Sequence, residues 1–172
     1  DKDDNLYLVD SMNHRIQKFT KEGKFLATWG KLGDGDGEFN MPWGITIDKQ
    51  DNIYVADWRN DRIQKFTPDG QFLMKVGSSG SGEGELNRPT GVAVDKDGTI
   101  YVADYKNDRL QVFNADGRFI TQLTGEATLS KWGTERVKLD PLIGRGREIA
   151  QDLKEREKAF QGPIAVDVDD EG

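Results

Sequence analysis

The chain has 172 residues, of which 35% are hydrophobic and 32% are charged, and twenty of them are glycine. This composition indicates many exposed turns and disfavours one large hydrophobic core. The formal net charge of −7 disfavours nucleic acid as a partner, and the lack of cysteine excludes disulfides and thiolate sites.

The sequence contains no apolar run long enough for a membrane span and no signal peptide. It begins at Asp1 rather than at Met, an observation that favours a secreted or periplasmic mature protein over a cytoplasmic one without fixing the compartment. We therefore expect a soluble protein.

A repeat of 47 residues organises the chain up to about residue 124. Residues 42–77 and 89–124 are identical at 17 of 36 positions, and a period of this size is typical of stacked supersecondary units. The positions that recur at this interval are Asp10, Asp57 and Asp104, Arg15, Arg62 and Arg109, Phe19, Phe66 and Phe113, and Gly23, Gly70 and Gly117.

Each repeat is predicted to form four short strands, because runs rich in Ile, Val, Tyr and Phe alternate with a period of two. The first strand covers residues 44–48 and 91–95, the second 5–10, 52–57 and 99–104, and the third 15–19, 62–66 and 109–113, while the fourth begins at Phe25, Phe72 and Phe119. Tight turns such as Pro68 to Gly70 join the strands as hairpins. The pattern predicts one β-propeller blade per repeat, with a solenoid as the alternative, and it excludes helical repeats.

The run from Asn13 to Phe19, preceded by residues 7–10 and followed by Gly23, resembles the motif that defines NHL repeats. The glycine-rich stretches at residues 37–44 and 84–91 are similar to the linker that precedes the first blade strand in that family. The resemblance covers residues 1–124 and 162–172. It implies an all-β propeller, commonly six-bladed, and specifies no single activity.

The ends of the chain are out of phase with the blades. Asp1 matches Asp48, so the chain starts just after a first strand, and residues 163–167 read as a first strand without a successor. Three blades are fewer than the roughly four to eight that close a ring. Two interpretations stay open: a homodimer closes six blades by exchanging residues 164–166, which pair beside residues 6–9 of the partner, or the chain is a piece of a longer propeller.

Residues 125–161 depart from the repeat. From about Arg145 to Phe160 the pattern predicts a helix with Ile149 and Leu153 on one side and a stop at Gly162. We expect an insertion packed over a blade edge, with a lid or a dimer contact as the alternative. Residues 162–172 then supply the first strand of a further or partner-completed blade.

Candidate metal ligands are sparse. His14 is the only histidine and stands where Asp61 and Asp108 stand in the other repeats, which predicts a turn residue. One histidine without cysteine cannot build a usual zinc site, so the metal-dependent lyase activity of proteins that resemble this family is not carried over. We expect no cofactor.

Two acidic clusters offer oxygen ligands for calcium as an alternative. Neither matches a complete EF-hand loop, and alternating Asp and Gly residues are typical of turns. The clusters are Asp34, Asp36 and Glu38, and Asp167, Asp169, Asp170 and Glu171.

The predicted binding face carries the loops between second and third strands. The repeated pair Asp57 and Arg62 is expected to form a charge-assisted hydrogen bond that fixes each loop, while the residues inside the loops vary. Aromatic and Arg side chains are common at binding hot spots, and a positive patch would attract a small anionic ligand or an acidic protein surface. The predicted binding residues are Trp43, Trp58, Arg59, Arg88, Tyr105 and Lys106.

A structural interpretation of the same residues has Trp43 packed between blades and Trp58 shielding a hairpin. The function we expect is that of a non-enzymatic recognition or scaffold module. The alternatives are a propeller hydrolase or lyase that uses a divalent ion held by carboxylates, and an RNA-binding NHL domain.

Overall fold

The computed structural model describes residues 1–124 and 162–168, and the expected helix within residues 125–161 lies outside them. In this described part the regular elements are β-strands and three short 3₁₀ turns, and no helix there has the length and hydropathy of a membrane span. The strands are β1 (Leu6–Asp10), β2 (Arg15–Phe19), β3 (Phe25–Trp29), β4 (Pro42–Ile47), β5 (Ile53–Asp57), β6 (Arg62–Phe66), β7 (Phe72–Val76), β8 (Ser78–Ser79), β9 (Glu85–Leu86), β10 (Pro89–Val94), β11 (Ile100–Asp104), β12 (Arg109–Phe113) and β13 (Phe119–Leu123).

Three antiparallel sheets confirm the predicted all-β architecture of about three blades. Blade 1 consists of β1–β3, blade 2 of β4–β7 and blade 3 of β10–β13, with strands adjacent in the order of the sequence. Strands β8 and β9 form a short parallel pair in the connection between blades 2 and 3. The second and third strands of a blade join through a 3₁₀ turn that ends in a left-handed residue: His14, Asp61 or Asp108.

The hydrophobic cores lie between blades. Along β5, Ile53 and Val55 pack toward blade 1, whereas Tyr54 and Ala56 pack toward blade 3, and all four are buried. A central strand buried on both sides explains why both sets of alternating positions are apolar.

The open face of blade 1 differs from the equivalent face of blade 2. Leu6 and Leu8 are 55% and 53% exposed, whereas Ile53 and Val55 at the same repeat positions are fully buried. An apolar sheet face of this kind is suited to packing against another sheet.

Residues 162–168, predicted to begin a further blade, form no regular strand but pack against β10. The Gly162 N–H donates to Oδ1 of Asp108 at 2.9 Å, and the Thr90 hydroxyl donates to the Pro163 carbonyl at 2.8 Å. The described residues include no second strand for this segment, so it lacks the ladder of hydrogen bonds that defines a strand.

Asp48 holds the turn between β4 and β5 at the end of the blade away from the 3₁₀ turns. Its carboxylate accepts hydrogen bonds from the N–H groups of Gln50 and Asn52 at 2.9 and 2.8 Å, and Lys65 Nζ lies 3.4 Å from Oδ2. Burial of this carboxyl opposes its ionisation, but the hydrogen bonds and the Lys65 charge outweigh burial and lower the pKa of Asp48.

We expect acidification below about pH 4 to destabilise the protein partly through Asp48. Its pKa is lower in the folded than in the unfolded chain, so the carboxylate contributes stability above the unfolded pKa, and this contribution is lost as the pH falls through the folded pKa. As the pH falls below about 4, the unfolding free energy measured with denaturant should decrease less for Asp48→Asn than for the wild type. Asp69→Asn, on an exposed turn, should follow the wild type, and equal pH dependence of all three would contradict the role of Asp48.

Candidate functional site

A buried ion pair forms the frame under the loop face of blade 2. Arg62 Nε donates to Oδ2 of Asp57 at 2.9 Å, which confirms the predicted hydrogen bond across the loop. The guanidinium also donates to three carbonyls of the preceding connection, those of Asp34, Gly35 and Glu38, at 2.7, 2.7 and 2.9 Å. The sequence did not indicate this second role of Arg62, because the acceptors are backbone carbonyls, which every residue type has.

The carboxylate of Asp57 is committed to this frame. Its other oxygen accepts the Asn40 N–H at 2.7 Å, and Asn60 Nδ2 donates to Oδ2 at 2.8 Å. Burial raises the pKa of Asp57, and the hydrogen bonds from Asn40, Asn60 and Arg62 oppose that increase. With its oxygens in these bonds, the group supports structure rather than proton transfer.

The frame repeats in blade 3 and is looser in blade 1. Arg109 Nε donates to Asp104 at 2.7 Å and reaches the connection carbonyls of residues 81, 82 and 85. In blade 1, Arg15 and Asp10 pair at 2.8 Å but are partly exposed. The hydrogen bond from Arg15 lowers the pKa of Asp10.

His14 is a hydrogen-bond acceptor at the junction of blades 1 and 2. It has a φ of 55° and accepts the Met41 N–H at Nδ1, 3.0 Å away, in agreement with the prediction of a turn residue. At the next junction the Oδ1 atom of Asp61 accepts the Arg88 N–H at 2.8 Å. His14 therefore provides the hydrogen-bond acceptor that the Asp61 carboxylate provides at the next junction.

Four of the six predicted binding residues come together on the loop face. The rings of Trp43 and Trp58 lie 5.9 Å apart, centroid to centroid. The guanidinium groups of Arg59 and Arg88 lie 5.6 and 5.1 Å from the Trp58 ring, within the range of cation–π attraction. We call these four residues the Trp58 cluster.

Two features of the Trp58 cluster make it suited to binding. Trp43 is 53% exposed, so a large aromatic surface faces solvent. The Nη1 atom of Arg88 is buried and has no hydrogen-bond partner among the described residues. A buried charged donor without an acceptor is costly.

Tyr105 and Lys106, the other two predicted residues, form a separate pair one blade further on. Lys106 Nζ lies 5.3 Å from the Tyr105 ring. That ring packs on Gly162, where a Cβ atom would come within 2.5 Å of Cε2. Tyr105 therefore has a packing role as well as a place on the loop face.

A groove opens beside the Trp58 cluster, between blades 1 and 2, with a volume of about 560 Å³. Of its lining residues only Arg59 was among the predicted binding residues, and His14, Leu32 and Asn40 were not expected here. Leu32 could have been found, since Ser79 occupies its position in the next repeat and the change from polar to apolar is visible in the sequence. The lining residues are Met12, His14, Leu32, Asn40, Met41 and Arg59.

The first acidic cluster has cationic partners from the chain itself. Lys75 Nζ pairs with Asp36 and Lys31 Nζ pairs with Glu38, each at 3.0 Å. Within residues 1–124 and 162–168 no group of three or more His, Cys, Asp or Glu side chains is arranged to hold a metal ion.

A family model described as NHL repeat matches residues 39–66 and 86–113. No curated protein matches the sequence significantly.

Similar solved structures include a catalytically inactive virginiamycin B lyase from Staphylococcus aureus with quinupristin, at 17% identity and a TM-score of 0.56. The structure of U3-55K, at 17% identity, and that of the RRP9 WD40 repeats, at 16%, both have a TM-score of 0.59. Each match covers 73% of this chain, but only 39%, 37% and 37% of those chains. At these identities the similarity shows the propeller fold and nothing finer.

Proposed function

Because the chain carries NHL repeats that fold as β-propeller blades, we propose that it is a non-enzymatic recognition module that binds an acidic protein segment through its loop face. The observation that carries this proposal is the Trp58 cluster, in which two guanidinium groups lie over the Trp58 ring and the adjoining Trp43 is exposed. Variable side chains on a repeated rigid frame are a common basis of recognition in repeat proteins.

The chemistry of the cluster favours an anionic partner. The chain has a net charge of −7, so a local pair of arginines stands out against an acidic background and would orient an acidic segment on approach. A carboxylate of that segment would pair with the exposed Arg59 guanidinium, and the exposed face of Trp43 would pack on an apolar neighbour.

The two alternative functions have less support in the described residues. A lyase is among the structural neighbours, but the low identity does not extend its activity to this chain. Aromatic and Arg side chains also stack on unpaired bases, so RNA is a competing ligand for the same cluster and is included in the test.

We expect Trp58→Ala to weaken binding by more than about 1 kcal/mol while leaving the melting temperature nearly unchanged. Peptides selected from a random display library on the full-length protein serve as probes, with affinity measured by fluorescence anisotropy. The selected peptides should be rich in Asp and Glu. Leu73→Ala, which removes an exposed side chain from the outer strand of blade 2, is the matched control and should bind normally.

Several outcomes would contradict the proposal. Equal affinity of Trp58→Ala and the wild type would leave the cluster without a binding role, and tighter binding of a single-stranded RNA oligonucleotide would favour the RNA alternative.

Tyr105→Ala should lower the affinity, because Tyr105 lies on the loop face, and it should also lower the stability, because the ring packs on Gly162.

The open face of blade 1 leads to a proposal on assembly. We infer that another sheet covers Leu6 and Leu8 in the complete propeller, supplied by a second copy or by further blades of a longer chain. Sedimentation of the full-length protein distinguishes the two: a dimer mass supports closure by a second copy, and a stable monomer supports further blades.

A further inference from the structure

The groove between blades 1 and 2 has a different chemistry from the equivalent position between blades 2 and 3. Moving each lining residue forward by one repeat replaces Met12, Leu32 and Met41 by Arg59, Ser79 and Arg88. The three apolar side chains of one junction are therefore matched by two cations and a hydroxyl at the next. The two junctions share their backbone frame, so the difference is not required by the fold.

We propose that this groove binds a small apolar carboxylate, with its hydrocarbon part between Met12, Leu32 and Met41 and its carboxylate on Arg59. The proposal goes beyond the proposed function, although Arg59 also belongs to the Trp58 cluster. It assigns the groove to a small molecule, whereas the cluster is assigned to a protein segment.

The size and exposure of the groove fit such a ligand. Its volume of about 560 Å³ lies within the range of about 300–1,000 Å³ that small-molecule sites occupy. Met12 and Leu32, which line it, are 75% and 62% exposed, so two large apolar side chains of the groove face water. Covering them with a hydrocarbon would remove apolar surface from water.

Arg59 supplies the charge that makes the ligand a carboxylate. Its side chain is exposed and forms no ion pair within the described residues, while its guanidinium rests over the Trp58 ring. Arg62, only three residues later, is by contrast fully used by Asp57 and the connection carbonyls. A guanidinium beside an apolar surface binds a carboxylate with both charge and geometry.

The backbone around the groove is held before any ligand arrives. The Arg59 N–H donates to the Asn40 carbonyl at 3.0 Å, and the Met41 N–H donates to His14 at 3.0 Å. Each bond joins a loop of one blade to the connection that lines the groove. A site that is already ordered loses less entropy on binding than a mobile one.

The experiment uses octanoate as the probe and the methyl groups of methionine as the reporters. The chain has three methionines, and Met74 lies on β7 outside the groove, so it is an internal control. In the full-length protein labelled at methionine methyls, octanoate should shift the NMR signals of Met12 and Met41 saturably and leave Met74 in place. Assignment follows from Met12→Leu and Met41→Leu.

Two variants and one control test the contacts. Leu32→Ser copies the residue that the next repeat has at this position, so it should fold normally and weaken octanoate binding about tenfold. Arg59→Gln should reduce the affinity for octanoate to that for octanol, which lacks the charge. Leu73→Ser on the outer strand should bind octanoate like the wild type.

The outcomes separate this inference from the proposed function. Saturable shifts that weaken in Leu32→Ser and Arg59→Gln but not in Leu73→Ser support the groove even if the selected peptides fail to depend on Trp58. Peptide binding that depends on Trp58, without any octanoate shift at Met12 and Met41, overturns the groove proposal and leaves the recognition role standing. Equal shifts with octanol, or equal shifts at Met74, overturn it as well.

Discussion

Replacing Arg62 by leucine should cost about 3–5 kcal/mol of unfolding free energy. The change leaves the buried Asp57 carboxylate without its cationic partner and removes the donor from three connection carbonyls. Both losses are severe in a buried setting, since the remaining groups have no water to replace the guanidinium.

Arg15→Leu in blade 1 is the matched control. The pair of Arg15 with Asp10 has the same spacing and nearly the same length, 2.8 Å, but its side chains are 39% and 20% exposed. Water can replace this partner, so we expect a much smaller loss of unfolding free energy than for Arg62→Leu. Chemical denaturation of both variants measures the difference. Similar losses of unfolding free energy would show that burial does not cause the large effect expected for Arg62.

The pH dependence gives the Arg62 prediction a second readout. Burial already raises the pKa of Asp57, and loss of Arg62 removes an interaction that opposes this increase. A carboxyl with a raised folded pKa destabilises the fold increasingly as the pH rises from the unfolded pKa toward the folded one. The deficit of Arg62→Leu relative to the wild type should therefore be larger at neutral pH than near pH 4, and a deficit independent of pH would contradict this mechanism.

A methyl group at Gly44 should destabilise the protein by about 1–3 kcal/mol, because the first strands of neighbouring blades approach backbone to backbone. A Cβ at this position would lie 2.4 Å from the carbonyl oxygen of Thr90 and 3.0 Å from Cα of Gly91. Neither atom belongs to a flexible side chain, so the two strands themselves would have to separate.

Gly91→Ala applies the same test to the segment that follows residue 161. Its Cβ would lie 2.9 Å from Cα of Ala165, so a loss similar to that of Gly44→Ala is expected if the segment packs on β10. Gly82→Ala is the control, because the nearest atom to its Cβ is the mobile end of the Glu85 side chain. Thermal unfolding of the three variants is the measurement. If Gly91→Ala has no effect, residues 162–168 do not pack on β10.

The blades were predictable from the sequence because their strands satisfy local rules. The third strand was predicted at residues 62–66 from the repeat and the flanking turns, and it lies there. Ile63 and Phe66 belong to the cores on the two sides of the blade. The position of His14 in a turn was also predictable from its Asp equivalents in the other repeats.

The site was only partly predictable. The composition of the loops indicated Trp58 and Arg59, but the sequence did not show that Arg88, 29 residues beyond Arg59, would lie over the same ring. That contact depends on how one blade is rotated against the next, a quantity set by packing between sheets rather than by local propensity. The hydrogen bonds from Arg62 to the connection carbonyls could not be predicted either, because every residue type has a backbone carbonyl.

The hydrogen bonds of Arg62 define where one building block of this protein ends and the next begins. The connection of residues 33–40 is tied by Asp57, Asn60, Arg62 and Gln64 to the blade that follows it, and residues 80–87 are tied in the same way to blade 3. A gene duplication or a graft that cuts at Gly30 and Gly77 therefore carries each of these bonds inside one transferable cassette. A cut made where the first strand begins would separate the connection from the side chains that shape it.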